Sequence, residues 1–121
     1  LMGSGDRMPI TKQDARVRDA LFDITSKGYG ATAIVDDEGK LTGVFTDGDL
    51  RRFIEKEGLE GLELPVFRAM TKNPRVIGPE RLAVEAVRIV EEWEVSALIV
   101  VQDGKPIGMV HIHEILKAGV A

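Results

Sequence analysis

Thr46 and Asp49 stand three residues apart in Gly43-Val44-Phe45-Thr46-Asp47-Gly48-Asp49, where a strand-forming run gives way to a helix. The first N–H groups of a helix have no intrahelical acceptor, so they and the Thr46 hydroxyl can meet a phosphate or a sugar hydroxyl. The Asp49 carboxylate can accept two hydrogen bonds from a vicinal diol such as that of ribose. The same Thr-x-x-Asp spacing is a variant of the capping box, which satisfies those amides with no ligand at all. Spacing alone leaves both readings open. Arg51 and Arg52 follow on the same helix; they can bring positive charge to a bound phosphate or pair with carboxylates on a solvated face.

A second set, His111, His113 and Glu114, lies near the C-terminus. An imidazole titrates near pH ~6.5, so a protonated His111 can pair with an acidic group. Alternate residues of an extended segment point the same way, and the two imidazoles could converge on one ion beside Glu114. A usable metal site needs further ligands from elsewhere, these are the only two histidines, and no resident metal or cofactor is expected. The plain alternative is that both histidines pack at a strand end. Catalytic machinery is sparse: there is no cysteine, and Ser4, Ser26 and Ser96 lack a nucleophile-elbow context. The sequence reads as a binding module and not as an enzyme.

Composition narrows the partners. The formal net charge of -4 supplies no excess of Lys and Arg for a nucleic-acid backbone. No apolar run approaches the roughly 20 residues of a membrane span, and the first residues lack a signal-peptide pattern, so a cytoplasmic chain is expected. With 44% apolar and 30% charged residues the chain should fold, and 121 residues hold one core or two half-domains sharing one.

The elements that must position these residues occur twice. Ala20, Ala31 and Val35 fall on Ala86, Ala97 and Val101 at a common offset. Deleting one turn residue then brings Gly39, Lys40 and Gly43 onto Gly104, Lys105 and Gly108. In the second half Pro79 suits a first helical residue; Ala83, Ala86, Val87, Val90 and Trp93 follow as one apolar stripe, with Glu85, Arg88, Glu91 and Glu92 turned outward. Trp93 reads as core or repeat-interface packing before base stacking. In the first half Thr11 is expected to cap the equivalent helix, with Asp14 at the capping-box position, and the helix runs through Val17, Ala20, Leu21 and Ile24 to a stop at Gly28. A hairpin follows each helix, Ala31–Val35 with Leu41–Phe45 and Ala97–Val101 with Pro106–Val110. A short final helix starts near Thr46 in one half and near His111 in the other.

Each unit is therefore β-α-β-β-α, and the fold class is α+β (mixed α/β). The expected division is a first repeat over 1–56, a connection over 57–64 and a second repeat over 65–121, with Pro65–Met70 forming a short lead-in helix. Met2 holds the place of Met70 before the first repeat, which lacks such a helix. The chain is thus expected to be a piece of a longer protein, unless Gly3, Ser4 and Gly5 are a cloning remnant.

A hydrophobic strand, Gly-h-h-Thr-x-x-Asp, a helix and a second copy of the unit resemble the paired CBS domain, or Bateman module. The resemblance extends over nearly the whole chain and includes Met70-Thr71-Lys72-Asn73-Pro74 as the lead-in to a repeat. It implies two repeats packed with pseudo-twofold symmetry, nucleotide ligands in the clefts between them, and a homodimer formed through the CBS helices. Thr46 and Asp49 carry over as the phosphate- or ribose-contacting pair; His111 and Glu114 replace that pair in the second half, so two equivalent sites are not expected. Phe45-Thr46-Asp47-Gly48-Asp49-Leu50-Arg51-Arg52 and the ending from Val110 to Val120 are similar to the C-terminal CBS pair of arabinose-5-phosphate isomerases. That similarity implies an N-terminal sugar isomerase domain in the parent chain and a place on the route to the lipopolysaccharide sugar Kdo. It further implies a nucleotide or sugar-nucleotide effector, CMP-Kdo or a related cytidylate first and an adenine nucleotide second. A structural or oligomerising pair with no ligand is the competing reading.

Overall fold

The computed structural model describes residues 3–4, 8–27, 30–74, 76–80 and 97–111. In chain order the elements are β1 (Gly3–Ser4), β2 (Ile10–Lys12), α1 (Val17–Lys27), β3 (Ala31–Val35), β4 (Leu41–Thr46), α2 (Asp47–Glu57), β5 (Thr71–Lys72), β6 (Val76–Ile77), β7 (Ala97–Gln102) and β8 (Lys105–His111). Two 3-10 segments, Leu59–Glu63 and Val66–Arg68, fill the expected connection and lead-in. A further helix begins at Pro79 and Glu80, as the proline predicts. Its stripe from Ala83 to Trp93 lies outside the described residues, as do Gly28, His113 and Glu114. The fold is mixed α+β.

The chain divides into two compact units, one formed by Met8–Pro74 and the other by Leu1–Arg7 with Arg75–Ala121. In the first, every residue of β3 is buried, which suits the β-branched run Thr32, Ile34, Val35 at the centre of a sheet. β2 pairs parallel to β3, β4 antiparallel to β3, and β5 antiparallel to β4. The second unit repeats this order: β6 lies parallel to β7, β8 antiparallel to β7, and β1 antiparallel to β8. The β7–β8 turn places both Asp103 and Gly104 at positive φ, 56° and 79°, the conformation that lets a two-residue connection follow the strand twist.

Compact units and sequence repeats do not share a boundary. The segment 65–74, assigned by sequence to the second repeat, packs in the first unit. Val66 is fully buried in one cluster with Val17, Ala20, Ile24, Ile34, Phe45 and Phe53. Its N–H donates to Ala15 O at 2.7 Å, and that of Phe67 to Gln13 O at 3.1 Å. β5 then supplies the outer strand of the first sheet, while β1, which precedes the first repeat's helix, supplies the outer strand of the second. Lys72 stands opposite Gly43 and Ser4 opposite Gly108, the two repeat-equivalent glycines.

Thr11 does not cap α1. It lies in β2, opposite Ile34, and α1 begins later, at Val17, whose N–H donates to Leu64 O at 2.8 Å. Parallel pairing with β3 takes the segment that a local capping pattern would have made helical. The Thr11 hydroxyl, buried, donates to Asp23 Oδ2 at 2.6 Å. Its single proton being used there, it accepts from the hydroxyl of the fully buried Thr32 at 2.8 Å.

Candidate functional site

Phe45 is completely buried and pins the end of β4 in the core, so the chain leaves the sheet at a fixed point. Thr46 follows with an extended backbone, φ -116° and ψ 169°, and is the N-cap of α2. Its hydroxyl accepts from the Asp49 N–H at 3.1 Å, and its own N–H donates to Asp49 Oδ2 at 3.1 Å. Both arms of the capping box are therefore made. The Thr46 hydroxyl also donates to the same Oδ2 at 3.1 Å. One further first-turn amide, that of Asp47, donates to Gly30 O at 3.2 Å.

The other carboxylate oxygen looks elsewhere. Asp49 Oδ1 accepts from Arg52 Nη2 at 2.8 Å and from Thr71 Oγ1 at 2.9 Å. A carboxylate offers about four acceptor positions, and four donors fill them here. Asp49 is only 7% exposed, a placement tolerable for an anion because a guanidinium and three other donors replace water. Arg52 itself is 66% exposed. Gly48 makes room for it, since a β-carbon there would stand 3.2 Å from Arg52 Nη1.

Of the residues singled out from sequence, Thr46, Asp49 and Arg52 are brought together, and Arg51 is exposed on the same helix. His111 ends β8, opposite Ala97, and the rest of the second constellation lies outside the described residues. Thr71 was not singled out. No local pattern points from Thr71 to a carboxylate 22 residues away; the only hint was its position in the Met70-Thr71 lead-in. Among the described residues no group of three or more His, Cys, Asp or Glu could hold a metal, and no helix is long and apolar enough to cross a membrane.

A protein-family model described as "CBS domain" matches residues 6–56 and again 66–121. Arabinose 5-phosphate isomerase KdsD of Pseudomonas aeruginosa is 37% identical over 121 residues, covering 99% of this chain and 37% of that protein. KdsD of Escherichia coli strain K12 is 37% identical over 120 residues, covering 99% of this chain and 36% of that protein. The chain thus spans a little over a third of the length of these curated relatives. The solved structure of CBSX2 in complex with AMP is similar with a TM-score of 0.83 at 27% identity, covering 98% of this chain and 92% of the other.

Proposed function

Because this chain belongs to the CBS domain family, carrying the domain twice, we propose that its regulatory, ligand-sensing role is exercised through a nucleotide or sugar nucleotide held at Thr46 and Asp49. The observation that carries this reading is the buried Asp49 carboxylate at the start of α2. Its Oδ1 is bonded only by side-chain donors, Arg52 and Thr71, which a ribose diol can replace without undoing the helix cap on Oδ2. The likeness to CBSX2, solved with AMP, supports a nucleotide. The likeness to KdsD supports a parent chain that is an arabinose 5-phosphate isomerase, with its catalytic sugar isomerase domain N-terminal to this pair. Such a parent would be cytoplasmic and feed Kdo synthesis, which makes CMP-Kdo the first effector to test and an adenine nucleotide the second. A second, unequal ligand site at His111 and Glu114 would favour acidic groups on its ligand.

Ligand binding to the native state raises the melting temperature by mass action, by about 2.7 kcal/mol of stability at a hundredfold excess over Kd. AMP and CMP-Kdo are each expected to raise it with concentration. Flat melting curves for both would remove the sensor reading. The competing structural or oligomerising role is favoured by the four internal donors that already fill Asp49. It is favoured also by Phe22, 68% exposed on α1. Flat melting curves together with a dimer in sedimentation that Phe22→Glu dissociates would establish that role instead.

A further inference from the structure

The two oxygens of Asp49 serve different parts of the chain. Oδ2 is bound by the N–H and hydroxyl of Thr46, its own helix cap. Oδ1 is bound by Arg52, one turn along the same helix, and by Thr71, which lies in β5. β5 is two residues long and sits at the sheet edge, held to β4 through the pairs Gly43↔Lys72 and Val44↔Thr71 alone. After it Asn73 takes a left-handed backbone, φ 53°, and beyond Pro74 the chain passes into the second unit. The Thr71 side chain is thus the one side-chain hydrogen bond among the described residues that ties this exit segment to α2.

We propose that the Thr71–Asp49 bond is a ligand-displaced latch: a ligand hydroxyl that takes Asp49 Oδ1 releases Thr71 and loosens β5. The proposal rests on the reading of Asp49 as a ligand contact. Oδ1 has about two acceptor positions, both occupied, so the two hydroxyls of a vicinal diol must expel both of the present donors. Arg52 is long, charged and largely exposed, and can turn its guanidinium toward a ligand phosphate while remaining nearby. Thr71 cannot follow. Its short side chain is fixed to the β5 backbone, and the exposed residue exchanges Asp49 for water. Binding and latch opening are then one linked equilibrium, and by reciprocity whatever weakens the latch strengthens binding.

Thr71→Val removes the hydroxyl at nearly constant shape, at an exposed edge position and with Arg52 still beside Asp49, while Thr71→Ser keeps the hydroxyl. AMP and CMP-Kdo are titrated separately against wild type and both variants by calorimetry, and amide hydrogen exchange is followed over Met70–Asn73. A competing hydrogen bond of ordinary net strength corresponds to about a fivefold change. Thr71→Val is expected to bind the nucleotide about fivefold more tightly than wild type, and Thr71→Ser like wild type. Saturating nucleotide is expected to speed exchange over Met70–Asn73 in wild type and to add nothing in Thr71→Val, where exchange is already fast. If wild type binds a nucleotide while Thr71→Val binds it equally or more weakly, or while exchange stays unchanged, the latch is wrong and the nucleotide reading stands. If neither AMP nor CMP-Kdo binds, that reading of Asp49 falls and the latch falls with it.

Discussion

A β-carbon on Gly43 would stand 2.6 Å from the sulfur of Met70, and 2.7 Å from the neighbouring carbonyl oxygen of Thr71. The methionine can turn aside, but the carbonyl belongs to the β5 backbone and can retreat only if the strand moves. Gly43→Ala is therefore expected to cost about 1–3 kcal/mol, as overpacking does, and to lower the melting temperature by several degrees. Thermal denaturation with amide exchange at Lys72 checks this; an unchanged Lys72 would mean that β5 is not packed against Gly43.

Asp49→Ala should destabilise the protein in the absence of any ligand. It removes half of a capping box and leaves the half-buried Thr46 N–H without its acceptor, a loss of about 1–2 kcal/mol in urea unfolding. A fall in ligand response in this variant would thus mix binding with folding, and Thr71 is the cleaner position at which to separate them.

Val66→Ala tests the allocation of 65–74 to the first core. Loss of two methyl groups from a fully buried site, with a residual cavity, is expected to cost about 2 kcal/mol. A surface linker would tolerate the change within about 0.5 kcal/mol.

Thr11→Val breaks the Thr32–Thr11–Asp23 chain and leaves the fully buried Thr32 hydroxyl without its acceptor, at a cost of about 1–3 kcal/mol. Because Thr11 is a strand residue, the native far-UV circular dichroism should keep its helical signal. A loss of helix content without global unfolding would restore Thr11 as a cap.

Glu63 accepts from Arg16 at 2.9 Å and also from Arg18, and all three side chains are well exposed. Glu63→Gln is expected to change stability by less than about 1 kcal/mol, and by less again at high salt. A larger effect in urea unfolding would show the cluster to be screened from solvent more than its exposure implies.

Much of this architecture was legible because it is locally encoded. The hairpins announce themselves through β-branched runs on either side of glycine turns, and α2 through Thr46-x-x-Asp49, where the local motif and the observed cap coincide. Thr11-x-x-Asp14 has the same spacing and misled, because a strand partner beyond the next helix outweighs a local cap. The role of Thr71 was invisible for a related reason: its bond to Asp49 depends on how β5 lies along β4, which nothing in Met70-Thr71-Lys72 states. The packing of Val66 with Phe45 and Ile34 was hidden likewise, since the repeat alignment orders the segments without saying which core receives them.

The reciprocal loan of β1 and β5 bears on how such a chain can arise and change. A copy excised at its sequence boundary would expose the bare flank of β4 or β8, a template on which another chain can add itself. Loss of either copy by deletion would therefore take two residue pairs from the outer strand of the sheet that remains. Within the pair, each copy can change its own residues, but neither can be removed without taking a strand from the other's sheet.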